Sequence, residues 1–370
     1  EESIKFYKWD FILPFLPEGS FLVGGYIRDI ILGRLSKRVD IDIDIVVPLD
    51  AINIGRQISR EYSCKFLILD EKRQIVRIIF NNISVDIANQ ITSSIEGDLK
   101  SRDFSINSIA YSFNKKALID PLNGIKDIEL NCIRSFKEEN LIKDPLRMLR
   151  CFRFVSELNF NIHIKLMIQI KKLKSKLNLV SKERINYEIQ RIAKGKNACE
   201  SIVLMQKINI FGFKNKYKDS FFLNFKKINY DVLNLSEKEK FLPLFFKSQI
   251  LNEISFEEFK FSKTEITKSR LLRKWNYILR KRNILELDEL ERFKLHQELE
   301  DILPSFIFFL PNHLQSEWLN RWRDKDDKLF HPSNLIDGNV IKKHLNIDDG
   351  PFLGKLLAYL SMELAYERLH

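Results

Sequence analysis

Cysteine is scarce: four residues in 370, at positions 64, 132, 151 and 199. They are scattered without metal-ligand spacing, so no disulfide framework is evident and reduced thiols in a cytoplasmic protein are expected. The six histidines (His163, His296, His313, His331, His344 and His370) also lack metal-binding spacing. No apolar run approaches the length of a membrane span, and the acidic start, Glu1-Glu2, is unlike a signal peptide. Internal repeats and low-complexity linkers are absent. Neither a membrane nor a protein partner is implied.

What is present suits a chain with room for two or three domains and substantial cores. Lys and Arg number 61 against 50 Asp and Glu, a net charge of +11 that suits a polyanionic partner. The first third alternates strand and helix patterns. Phe21–Val23, Val39–Val47, Phe66–Leu69, Ile75–Phe80 and Ser84–Ala88 read as strands; Ile27–Leu32 and Ala51–Glu61 read as helices. This order predicts an α+β fold, a small mixed sheet with helices on one side. From about Asp144 the spacing turns helical: 145–157, 164–173, 182–193, 236–248, 263–282, 288–303 and 353–367. Ser236 and Glu239 form a candidate capping box, and Pro243 marks a kink or break in that helix.

Gly24-Gly25-Tyr26-Ile27-Arg28-Asp29 allows a turn whose backbone N–H groups approach a phosphate closely. Asp42 and Asp44, spaced i and i+2 on a strand, project from one face and can hold Mg²⁺ through hard oxygen ligands. Asp40 keeps the same register and Asp86 is an outside candidate for a third acid on the adjacent strand. A second cluster runs from Gly97 to Ala110 and holds Arg102, Asp103 and Asn107. Asp120-Pro121-Leu122-Asn123-Gly124 reads by itself as a turn before a strand. In Asp144-Pro145-Leu146-Arg147-Met148-Leu149-Arg150-Cys151-Phe152-Arg153-Phe154, three arginines recur every three residues while Leu146, Leu149 and Phe154 face the core. That spacing predicts a basic ridge able to contact phosphate or a base edge.

In this order the clusters resemble the class II tRNA nucleotidyltransferase and bacterial poly(A) polymerase family. The resemblance covers residues 20–195 and returns at Asp337-Gly338-Asn339-Val340-Ile341 and Gly350-Pro351-Phe352-Leu353-Gly354. It implies a polymerase-β-like nucleotidyltransferase head (1–137), a helical neck that recognises the base (138–200) and a helical body and tail that bind tRNA (201–370). Gly24 and Gly25 would hold the triphosphate, Arg28 and Asp29 would support that turn, and Asp42 and Asp44 would be the catalytic metal carboxylates. Arg102 and Asp103, with Asn107, would serve the ribose pocket. The family reads the base with an element that is usually Glu-Asp-x-x-Arg. Here Asp144 and Arg147 match it, and Lys143 stands where the Glu is expected. Asp144 can accept from the exocyclic amine of cytosine or adenine and Arg147 can donate beside it. Arg150 and Arg153 are phosphate candidates. Glu183-Arg184-Ile185 resembles a later family element, or makes a structural pair.

The implied reaction joins an RNA 3′-hydroxyl to the α-phosphorus of CTP or ATP and releases pyrophosphate, making all or part of the CCA end of tRNA. The stretch Lys65–Arg73 departs from the flexible-loop sequence of many complete CCA-adding members, which keeps CC-only or A-only addition open. A poly(A) polymerase and a catalytically silent tRNA-binding relative are the alternatives. Arg273, Lys274, Arg280 and Lys281, beside Trp275 and Tyr277, are weaker candidates for following an RNA backbone. No His-Asp dipeptide occurs, so nothing supports an appended metal-dependent phosphohydrolase.

Overall fold

Alternating side chains build the first sheet. Strands β1 (Phe21–Val23), β2 (Ile41–Val47), β3 (Lys65–Asp70), β4 (Ile75–Phe80), β5 (Ile83–Asn89), β6 (Ala110–Ser112) and β7 (Ala117–Ile119) pair in the order β3-β4-β5-β2-β1-β6-β7. Among the described strands of this sheet only the β2–β5 pair is parallel. The computed structural model describes residues 10–35, 41–212, 228–251, 253–332, 338–346, 348 and 350–369; Asp40, Asp337 and His370 lie outside the described residues.

The period of two sends Ile43, Ile45 and Val47 of β2 to one face, buried with Val76, Ile78, Val85 and Ile87. Helix α1 (Gly25–Ile31) follows β1, and α2 (Ala51–Glu61) packs on this apolar face at Gly55. A Cβ at Gly55 would lie 2.7 Å from Val76 Cγ2, so the helix approaches closely only because the side chain is absent. The other face carries Asp42, Asp44, Asp86 and Arg77 towards one edge, and Val23, Val46 and Ala110 towards the other. Helix α3 (Ile95–Ser101) covers the apolar part with Ile95 and Leu99, four residues apart. The sheet therefore has helices on both faces, where the sequence pattern alone had suggested one.

The segment from Asp120 is more than a turn before a strand. Asp120 accepts from the backbone N–H groups of Gly124 (2.7 Å) and Ile125 (2.9 Å), which starts helix α4 (Gly124–Glu129). A Cβ at Gly124 would sit 2.2 Å from the Ser105 carbonyl oxygen. Two short parallel strands, β8 (Cys132–Ile133) and β9 (Asn161–Ile162), flank α5 (Glu138–Lys143) and α6 (Arg147–Leu158); α7 (Ile164–Leu173) follows. These elements belong to one compact unit, Glu1–Val180.

The second compact unit, Ser181–His370, is helical in its described residues. It contains α8 (Lys182–Lys194), α9 (Ala198–Ile208), α10 (Leu235–Ile250), α11 (Glu253–Glu258), α12 (Lys263–Lys281) and α13 (Glu289–Leu299). After these come α14 (Leu303–Phe306), α15 (Asn312–Arg323), α16 (Gly338–Leu345) and α17 (Pro351–Ala365). The expected capping box at Ser236 and Glu239 is displaced: Asn234 and Glu237 make it, two residues earlier. Asn234 accepts from the Glu237 N–H and Glu237 accepts from the Asn234 N–H, each at 2.9 Å. Pro243 lies inside α10 without ending it.

Candidate active site

The chain leaves β1 at Gly24 with φ +80°, a backbone that glycine adopts without strain. A Cβ there would meet Asp44 Oδ2 at 3.0 Å and Arg102 Nη1 at 3.3 Å. The glycine turn, the second carboxylate of β2 and the arginine that follows α3 thus converge on one small cradle. Asp42 is exposed beside it, and Asp44 is half-buried. Burial raises the Asp44 pKa, with Asp86 and Asp42 adding like-charge repulsion, while Arg102 and Arg150 oppose the rise. An all-oxygen pair whose crowding a cation would relieve fits a hard divalent metal.

The third acid is engaged. Asp86 lies opposite Asp44 in the ladder, and Arg77 lies opposite Asp86. Arg77 donates from Nε and Nη2 to the two oxygens of Asp86 at 2.7 and 2.8 Å, a bidentate pair. Asp86 adds negative charge near the pair while being neutralised from its far side. Arg77 was not singled out from the sequence, although a lone charge within the apolar run Ile75–Phe80 was a usable signal.

A polar chain links α1 to α6. Arg28 donates from Nε and Nη2 to Asp29 Oδ1 and from Nη1 to Asn107 Oδ1 at 2.6 Å. Asn107 passes on a hydrogen bond to Asp103 Oδ1 (3.0 Å), and Arg150 Nε donates to Asp103 Oδ2 (2.8 Å). Burial would raise the Asp103 pKa, but Arg150 and the Asn107 hydrogen bond hold it well below the usual carboxylate range. Gly25 starts α1 directly over the Arg28 guanidinium, whose Nη2 would lie 3.4 Å from a Cβ at Gly25. Arg28, Asp103 and Asn107 are all buried.

Arg102 and Arg147 meet at the end of α3. Arg147 Nη1 donates to the carbonyls of Ser101 (2.9 Å) and Arg102 (3.0 Å). Arg102 Nε pairs with Asp98 Oδ2 at 3.2 Å. Burial lowers the Arg147 pKa, and the nearby Asp103 and Asp144 work against that. Asp144 is half-buried at the end of α5, and Lys143 beside it is exposed.

The basic ridge on α6 is not continuous. Three residues advance a helix by 300°, so each arginine falls about 60° behind the last. Arg147 and Arg150 remain half-exposed, but Arg153 is buried, with its guanidinium over the Phe154 ring at 4.8 Å. Its Nε lies 3.8 Å from Glu157. In the second unit Arg273 donates to the Ser248 carbonyl (2.8 Å) and Lys274 to Glu298 (2.7 Å). Lys281 sits over the Tyr277 ring at 4.3 Å, and burial lowers the Arg280 pKa. Glu183 pairs with Lys260 of the same unit.

A mixed sheet carrying an acid pair beside a glycine turn, with helices after it, defines a polymerase-β-like nucleotidyltransferase head with a helical remainder. Residues 20–91 and 87–134 match the family model described as the poly A polymerase head domain, and 159–213 match the probable RNA and SrmB-binding site of polymerase A. The chain is 28% identical to the CC-adding tRNA nucleotidyltransferase of Synechocystis sp. over 95% of this chain and 91% of that protein. It is 33% identical to the CC-adding tRNA nucleotidyltransferase of Geobacter sulfurreducens, over 52% of this chain and 45% of that protein. A solved CCA-adding enzyme in complex with CTP shares the fold, with a TM-score of 0.74 at 20% identity, across 98% of this chain and 92% of that one. Along nearly its whole length the chain is similar to the class II tRNA nucleotidyltransferase and bacterial poly(A) polymerase family. Nucleotidyltransferases of this fold class generally use a divalent metal. No helix among the described residues is long and apolar enough to cross a membrane.

Proposed function

We propose that this protein is a template-independent nucleotidyltransferase that adds C, A or both to the 3′ end of tRNA. The 3′-oxygen bonds to the α-phosphorus of the incoming nucleotide, the bond to the β-phosphate oxygen breaks, and pyrophosphate leaves. The observation that carries the reading is the convergence of Asp44, the Gly24 turn and Arg102 within contact distance.

In this reading Asp42 and Asp44 would hold Mg²⁺ through their carboxylate oxygens. When bound, the metal would supply charge stabilisation at the phosphates and a lowered pKa at the 3′-hydroxyl. The Gly24-Gly25 turn lets the triphosphate approach the backbone, and Arg102 and Arg150 offset its charge. Asp103 and Asn107, fixed by Arg28 and Arg150, form the floor beneath the ribose. Asp144 accepts from the exocyclic amine of C or A, and Arg147 donates to the adjacent ring acceptor; U and G present the opposite pattern. The proposed division is a head at 1–137, a neck at 138–200 and a body and tail at 201–370. Basic groups of α12 follow the tRNA backbone.

A narrower reading, addition of C alone, is favoured by the name of the Synechocystis relative, matched over 95% of this chain. The departing stretch Lys65–Arg73 forms β3 and the start of its turn into β4. The test is incorporation of labelled CTP and ATP, with Mg²⁺, into tRNAs ending before CCA, after C and after CC. Addition of both nucleotides establishes a full CCA-adding enzyme, and C alone establishes the narrower reading. Long A tails on unrelated RNA would replace both with a poly(A) polymerase. No incorporation, with tRNA binding retained, would leave a silent binding relative.

A further inference from the structure

The end of α3 is held by two donors from the neck. A helix leaves its last carbonyls without intrahelical partners, and here those of Lys100, Ser101 and Arg102 are taken up by side chains. Arg147 Nη1 bridges Ser101 and Arg102. Asn140 of α5, buried at 5% exposure, uses Nδ2 to bridge Lys100 (3.0 Å) and Arg102 (2.9 Å). The Arg102 carbonyl is therefore shared by both, and Asn140 sets the position of the acceptor on which Arg147 rests.

We infer that Asn140 is a positioning residue for nucleotide selectivity, acting through the Arg102 carbonyl on Arg147. The inference rests on the proposed role of Arg147 as base reader. Hydrogen bonds to a base edge are directional, so a guanidinium free to swing donates to wrong acceptors as well as right ones. Position 143, one residue before Asp144, carries an exposed lysine and no acid that could brace Arg147. The bracing falls to the carbonyls of Ser101 and Arg102, and Asn140 holds the second of them. The same carbonyl belongs to the residue whose side chain reaches the Gly24 cradle, so one amide side chain ties base reading to the phosphate end of the site.

The test compares kcat/KM for CTP and UTP on a tRNA lacking its CCA end. Asn140→Ala and the near-isosteric Asn140→Asp both remove the donor, and each is expected to lower the CTP-to-UTP ratio about tenfold. Affinity for tRNA, read by filter binding, should stay within about twofold, since the contact lies within the head and neck. Asn140→Ser keeps one donor, should retain part of the selectivity, and carries the test if the alanine variant fails to fold. In an Arg147→Lys background, the further loss of Asn140 should change the ratio by less than about twofold, because the route is already broken. An unchanged ratio with a lower overall rate, or additive effects in the double variant, would overturn the inference. Failure of the wild type to incorporate any nucleotide would instead sink the proposed function, and this inference with it.

Discussion

Asp103 Oδ2 lies 2.6 Å from Arg150 Nη2, so a buried carboxylate that follows α3 is paired with an arginine on α6. Through Asn107 the same carboxylate is joined to Arg28 in the last turn of α1. The carboxylate is buried but Arg150 is half-exposed, so solvent compensates part of the charge left behind. Asp103→Asn is expected to destabilise the first unit by about 1–3 kcal/mol. Urea unfolding of the variant measures this, and a loss under about 1 kcal/mol would mean that the pair contributes little.

Gly24→Ala tests the cradle. The new Cβ meets Asp44 Oδ2 at 3.0 Å in a backbone with φ +80°. Strain of about 1–3 kcal/mol is expected, together with a rise in KM for the nucleotide. Nucleotide titration and thermal melting would separate the two effects. Unchanged KM would remove the turn from the binding site.

Asp42→Asn and Asp44→Asn are each expected to lower kcat at least about a hundredfold while tRNA binding persists. Chelation with EDTA should abolish incorporation, and added Mg²⁺ should restore it. Full activity in either variant would remove that carboxylate from the metal site.

The second unit carries an independent pH-sensitive group. His296 is 2% exposed, its ring 4.0 Å from Phe330 and 4.8 Å from Trp318. Burial, reinforced by Arg321, lowers its pKa from 6.5 to about 3. A depressed histidine pKa means that the unfolded chain takes up the proton first. The stability it permits is fully present above 6.5 and is lost as pH falls towards about 3. That loss amounts to about 1.4 kcal/mol per pH unit within the window. His296→Leu should flatten this part of the stability profile in chemical denaturation at stepped pH; an unchanged slope would assign the loss to other groups.

Much was legible because it depends on neighbours in the chain. The strand alternation in Ile41–Val47, the glycine turn and the Asp-x-Asp spacing are local, and the helix of Lys182–Lys194 follows from its periodicity. The buried state of Arg153 was not legible. Every third position looks like a ridge in the sequence, but a helix of 3.6 residues per turn rotates the third arginine off that face. The cap of α10 was missed by two residues because Asn234 with Glu237 and Ser236 with Glu239 both spell a capping box, so the local sequence does not choose between them.

The sequence alone determined the elements, the acid pair on one strand face and the basic residues of the neck, since backbone periodicity and side-chain chemistry are local properties. Tertiary structure decided who meets whom. It closed Asp44 and Arg102 around a glycine 20 and 78 residues away in the chain, and paired Arg77 with the third acid. It also turned the end of α3 into an acceptor for Asn140 and Arg147. Those partners include backbone carbonyls, which every residue carries alike, so only the folded chain distinguishes them.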